Sequence, residues 1–185
     1  MLRQVSRDWA AAHMPDDIIP PFAAGGGCRC RAATQREIAV TPFYILVCSF
    51  VIFLIAGSAG VTVLTPWTVA LRGALSIMFL TTASAHWGKT RADLIRMVPP
   101  RFPRPELLVT ATGLFEIAGA IGLVLPATTK LAAACLALLM VAIFPANVFA
   151  SRHTLSIGGK PVTPLPLRAA LQLVFVGAVL VAGFS

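Results

Sequence analysis

The chain has 185 residues, of which 57% are hydrophobic and 12% charged, and its mean hydropathy is +0.84. A soluble domain carries roughly twice that share of charge, so the composition excludes an ordinary water-soluble globule and indicates one membrane-embedded bundle. The formal net charge of +8 does not indicate a nucleic-acid partner, because the basic residues are spread through connecting segments and not gathered in one patch.

Residues 1–41 are polar, rich in Gly, Pro and Arg, and without sustained periodicity. They read as a disordered basic tail with a short helix near Arg3 to His13. The tail does not read as a signal peptide, since the first apolar run begins late, is long, and has no Ala-x-Ala site after it. Cys28 and Cys30 stand in this tail as Cys-x-Cys beside Arg29 and Arg31. One such pair is too few ligands for a closed zinc site, although the arginines favour the thiolate. Cys48 and Cys135 fall inside apolar runs and read as packing residues.

Five apolar segments follow, near 42–64, 68–86, 107–126, 130–150 and 166–184. Each is about 20 residues long, enough to cross a hydrocarbon core as a helix. They lack the ten-residue alternation of barrel strands, so the prediction is an all-α transmembrane helical bundle. Prolines punctuate the connections. Pro145 is the exception, lying inside the fourth segment, where it should bend the helix and free a carbonyl.

Lys and Arg set the orientation. With the tail in the cytoplasm, thirteen of the fifteen fall on that side and one, Lys130, outside, which leaves Arg72 within a segment. The prediction is a multi-pass protein of a bacterial inner membrane, with its N-terminus cytoplasmic and its C-terminus outside. The patterns Ala56-x-x-x-Gly60 and Ala118-x-x-x-Gly122 permit close helix approach, either within the bundle or across a homo-oligomer seam.

Polar residues inside the apolar segments are the candidate site. Glu116 lies near the middle of the third, where a carboxylate is costly and must face the interior, stay protonated or find a partner. With the inner helix ends set level, Arg72 is offset from it by about 6 Å along the axis, so an Arg72–Glu116 pair is available. The alternative is that Arg72 snorkels to the outer surface. Thr81, Thr82 and Ser84 either line a path toward Glu116 or bond back to carbonyls of their own helix. His86, at the inner mouth, titrates near neutrality but falls about 15 Å from Glu116 in the same scheme. Trp67 and Trp87 flank the second segment as interfacial anchors. Asn147, after Pro145, either satisfies freed backbone or reaches a head group. No spacing suggests a metal site, a phosphate loop or a bis-histidine haem.

These residues carry a resemblance. The run Arg72 to Leu80 with Ala85, His86 and Trp87, the stretch Met97 to Leu107, the glycine-rich helix Gly113 to Leu123 around Glu116, and Phe144 to Asn147 together resemble the DoxX family of small bacterial membrane proteins. The resemblance covers about residues 68–184 and implies a four-helix core, to which this chain adds one N-terminal transmembrane helix and the basic tail. The family is named for a subunit linked to quinol and thiosulfate oxidation, and His86, Glu116 and Asn147 match its polar positions. What it implies is a redox or oxidative-stress associated subunit that binds a quinone-like or lipidic molecule near Glu116, with Arg72 or His86 tuning protonation and a partner redox protein supplying electrons. Two other readings stand beside it: a noncatalytic scaffold in which polar residues are interhelical glue, and a small-molecule transporter built on the intramembrane charge and the Pro-broken helix.

Overall fold

A computed structural model describes residues 27–185 except 154, 158, 159 and 162, with side chains from Val40 onward apart from 154 and 156–162. The helix expected near Arg3 to His13 lies outside the described residues. Two compact units are distinguished, Met1–Ala33 and Thr34–Ser185, and every side-chain contact given below belongs to the second.

The described elements are α1 (Gly27–Ser58), a 3-10 turn (Thr62–Leu64), α2 (Trp67–Ser84), α3 (Arg91–Met97), α4 (Pro105–Val124), α5 (Thr129–Arg152), a hairpin of two-residue strands β1 (Ser156–Ile157) and β2 (Lys160–Pro161), and α6 (Leu165–Phe184). The fold is all-helical but for that hairpin, which pairs Ser156 with Pro161 and Ile157 with Lys160. A helix stands at each of the five expected places. α1 opens earlier than the tail reading allowed, at Gly27, with Pro42 inside it. It also ends earlier, because Gly57, Ser58 and Gly60 close it, and Gly60 sits at φ 110°, where a side chain would be strained. Gly60 is therefore off the helix, and the Ala56/Gly60 pair is not a helix-packing face.

Among the described residues, four helices are long and apolar enough to cross a membrane: Val40–Ser58 of α1, α4, α5 and α6. α2, at 18 residues and carrying Arg72, is not among them. This differs from the expectation of five such segments, and packing supplies the reason. α2 touches α4 and α6, α4 touches α5, and α5 touches α6, so these four close a cycle. α2 buries Ala70, Ala74, Leu75 and Ala83 completely, against the other helices. A helix shielded by protein needs less hydrocarbon character than one facing acyl chains.

Glycine and alanine set the helix spacing. A Cβ added at Gly122 would meet that of Ala132 at 2.8 Å, and Gly119 is covered by the side chain of Leu136, so α4 and α5 approach closely. Ala118, by contrast, is exposed. The small-residue face is therefore Gly113, Glu116, Gly119 and Gly122, at spacings of three, and it packs within the bundle. Cys48 and Cys135 are free and exposed on the outer surface, which corrects their reading as core packing residues. For Cys28 and Cys30 only the helical backbone is described.

Candidate functional site

Three contacts fix how α2 and α4 lie against each other. Ser76 Oγ donates to the Ala120 carbonyl at 2.7 Å, Thr82 Oγ1 lies 3.1 Å from Glu116 Oε2, and the His86 Cβ and Cγ stand 2.8 Å from where a Gly113 Cβ would be. Residue numbers rise on α2 as they fall on α4, so the helices run antiparallel. Each contact has a sequence cause. Ser76 sits in an apolar helix with no water, so its hydroxyl must find carbonyls, and it reaches both Arg72 O (2.8 Å) and Ala120 O. Gly113 has no side chain, which makes room for the imidazole of His86 and the ring of Trp87.

This register corrects two distances expected from sequence. His86 lies against Gly113, one helical turn from Glu116, and not some three turns away. The C-terminal end of α2 and the N-terminal end of α4 are not level: α4 runs more than two turns past the end of α2, and α3 packs against that overhang. The same offset carries Arg72 away from Glu116. Ten residues separate Arg72 from Thr82, roughly 15 Å along the axis. Arg72 makes no pair with Glu116; its Nε donates to the Ala182 carbonyl at 2.8 Å and its Nη2 to Ser185 O at 3.5 Å. A guanidinium there satisfies carbonyls at the end of α6 and complements its helix dipole.

Glu116 is buried, at 8% exposure, and faces the interior of the bundle. Its side-chain partner is Thr82. Thr82 Oγ1 also lies 3.0 Å from the Phe79 carbonyl oxygen. One hydroxyl has one proton to give. When Thr82 donates to Phe79, the link to Glu116 requires a carboxyl that carries a proton and donates it to Oγ1. When Thr82 donates to Glu116, an ionised carboxylate accepts. The pair thus has two hydrogen-bonded states that differ by one proton and a hydroxyl rotation. Thr81 and Ser84 bond back to Ile77 O and Thr81 O, as the local alternative anticipated, and are exposed.

His86 is half-buried just beyond the end of α2, with Nδ1 3.3 Å from Ala83 O. Burial lowers its pKa, and nearby Arg91 lowers it further, opposed by hydrogen bonds that the ring makes to the backbone carbonyls of Thr82 and Ala83. Arg91 was counted in the sequence only as a loop charge. It donates to His86 O (2.7 Å), Glu106 O (3.4 Å) and Thr110 Oγ1 (2.9 Å), tying the end of α2 to the first turns of α4. Trp67 and Trp87 are exposed at opposite ends of α2.

Asn147 stands apart from Glu116, near the α5–α6 end. Its Oδ1 accepts from Arg168 Nη1 at 2.7 Å, so it serves a neighbouring helix and not the backbone freed by Pro145. α5 continues through Pro145 to Arg152 without interruption. Gln172, which sequence reasoning passed over, donates its amide to Met140 O at 2.5 Å. The bundle therefore brings together Glu116, Thr82 and, one turn away, His86; it sends Arg72 to one end and Asn147 to the other. Ser76, Arg91 and Gln172 are the polar residues that the sequence signalled only as isolated polar side chains next to or within apolar runs.

Residues 75–182 match the family described as Domain of unknown function (DUF8561). The matched stretch holds Ser76, Thr82, His86, Glu116 and Asn147 but not Arg72 or α1. No curated protein and no solved structure matches the chain.

Proposed function

As this chain belongs to the family of the domain of unknown function DUF8561, we propose that it is a DoxX-like, redox-associated membrane subunit that binds a quinone-like or other lipidic molecule beside Glu116. The observation that carries this reading is a buried carboxyl whose side-chain partner among the described residues is one hydroxyl, Thr82, and no cation. A quinone head presents carbonyl oxygens that need a donor, and its reduced form presents hydroxyls that need an acceptor. The two states of the Glu116–Thr82 pair supply one of each. His86, one turn away just beyond the end of α2, lies between Glu116 and the first turns of α4 and is suited to passing protons. Ser76 and Gln172 are already committed to backbone carbonyls of neighbouring helices. When bound, the quinone would accept or give up electrons; the sequence offers no haem or cluster ligand set, so a partner protein exchanges them.

The orientation proposed is five crossings in a bacterial inner membrane with the N-terminus cytoplasmic. Its support is the distribution of Lys and Arg, with α2 as the shielded fifth crossing.

The test is binding of a short-chain quinone analogue to the purified full-length protein. The expected result is saturable binding that weakens about tenfold or more in Glu116→Gln, the size expected for losing a hydrogen bond to a group that can be charged. Binding that ignores the substitution would remove the reading. The scaffold alternative is favoured by the fact that Thr82–Glu116 is also a bond between two helices. It predicts that Glu116→Gln lowers stability and changes nothing else.

A further inference from the structure

At the end of the bundle where α5 finishes and α6 begins, a cation is held by neutral groups alone among the described residues. Arg168 is the fourth residue of α6. Its Nε donates to Thr163 Oγ1 at 3.1 Å and its Nη1 to Asn147 Oδ1 at 2.7 Å. Thr163 is itself 2% exposed, so this arm of the cradle is built into the fold. Among the described residues the ion pair formed joins Arg96 and Asp93, so no carboxylate neutralises Arg168.

A half-buried guanidinium without a counter-ion is an unfinished arrangement. It carries five N–H donors, of which two are used, and neutral acceptors fix its plane without cancelling its charge. The first turn of α6 adds to the local positive potential, since the amides of Leu165 and Leu167 have no acceptor within the helix. Arg152, exposed in the last turn of α5, adds another cation at the same end. Arg91 is unavailable, being committed to three acceptors on α4 and at His86.

Depth and surroundings indicate the anion. At 20 residues α6 is about 30 Å long, the thickness of the hydrocarbon core, so its first turn lies at the boundary between acyl chains and head groups, within reach of a long guanidinium side chain. One and two turns further along the face of α6 that carries Arg168, Leu171 and Phe175 are half-buried, an apolar flank along which a lipid tail would lie. Basic pockets between transmembrane helices bind anionic head groups by this combination of a forked donor and an apolar flank. We propose that Arg168, oriented by Asn147 and Thr163, is a binding site for the phosphate group of an anionic phospholipid, separate from the Glu116 site.

Full-length protein in a neutral detergent is titrated with phosphatidylglycerol, phosphatidylcholine or inorganic phosphate, and bound molecules are counted by native mass spectrometry. Phosphatidylglycerol should bind about tenfold more tightly than phosphatidylcholine, the scale of one hydrogen bond to a charged group, and inorganic phosphate should not displace it. Arg168→Gln should bring the two lipids level. Asn147→Ala, which keeps the charge but releases one arm of the guanidinium, should reduce the preference. If Arg168→Gln does not fold, Arg168→Lys carries the test: it retains the charge, loses the fork, and should weaken phosphatidylglycerol while leaving phosphatidylcholine unchanged. Equal affinity for the two lipids in the wild-type protein, or a preference that all three substitutions leave intact, overturns the proposal. Displacement of phosphatidylglycerol by inorganic phosphate, lost in the same variants, overturns the lipid source and assigns the same anion site to soluble phosphate.

Discussion

α1 and α2 are neighbours in sequence and opposites in construction. The span Val40–Ser58 of α1 passes every test of a membrane helix, yet of its 19 residues only Leu46 is buried. α2 carries an arginine, two serines and three threonines, fails the apolarity test, and buries eight of its 18 residues. Apolarity therefore reports exposure to lipid, not membership of the core. In a membrane bundle the helix with most to say about function is the one that hydropathy ranks last, because only a helix surrounded by protein can keep hydroxyls and a charge.

The sharpest way to break this contrast is to cut side chains on each helix. Leu75→Ala, at a fully buried position of α2, should cost about 2–5 kcal/mol. Ile52→Ala, 60% exposed on α1, should change stability by no more than about 0.5 kcal/mol. Unfolding in detergent measures both, and equal effects would mean that α1 belongs to the core. Next in size, Thr82→Val strips Glu116 of its side-chain partner and should cost about 1–3 kcal/mol. The Phe53 ring, which packs on Gly73, is how α1 leans on α2. Phe53→Ala should cost about 1 kcal/mol while leaving quinone-analogue and lipid binding unchanged. Ser76→Ala removes a bond between α2 and α4 whose acceptors both keep their helix partners, and about 0.6 kcal/mol is the typical loss for such a bond in a membrane protein.

The smallest effect is that of pH at His86. Its folded pKa lies below the ordinary value, so the folded chain binds fewer protons there than the unfolded chain. Stability should rise with pH up to about 6.5 and fall as the solution is acidified below it. The difference between wild type and His86→Gln, followed from pH 8 downward, isolates the term. A gap that widens in favour of the wild type on acidification would contradict the sign.

The placing of the five long helices was legible because apolar length and proline punctuation are local properties, and each expected segment overlaps an observed helix; the short α3, in a charged connection, was not. The interior orientation of Glu116 was legible for the same reason: the cost of a lipid-facing carboxylate leaves one answer. The register was not. Setting the ends of 68–86 and 107–126 at one membrane level ignored the overhang of α4, and it moved His86 too far from Glu116 and Arg72 too near. Nothing in a single helix's sequence encodes its offset against a neighbour; that depends on where Gly113 admits an imidazole and where Ser76 meets a carbonyl. The Arg91 clamp was hidden for a related reason, since a loop arginine is counted for topology whether or not its side chain returns to the protein. Asn147 was correctly singled out as polar and placed with the wrong partner, because Pro145 drew attention to the backbone when Arg168 lay on another helix.

The tie between Arg72 and the Ala182 carbonyl joins residues 110 positions apart in the chain. A ribosome delivers the first of these long before the second. Until α6 leaves the tunnel, α2 has one flank uncovered and its guanidinium is still seeking acceptors. Closure of the ring therefore waits for α6, and a nascent chain stalled before α6 should be the form most readily recognised by membrane quality-control proteases.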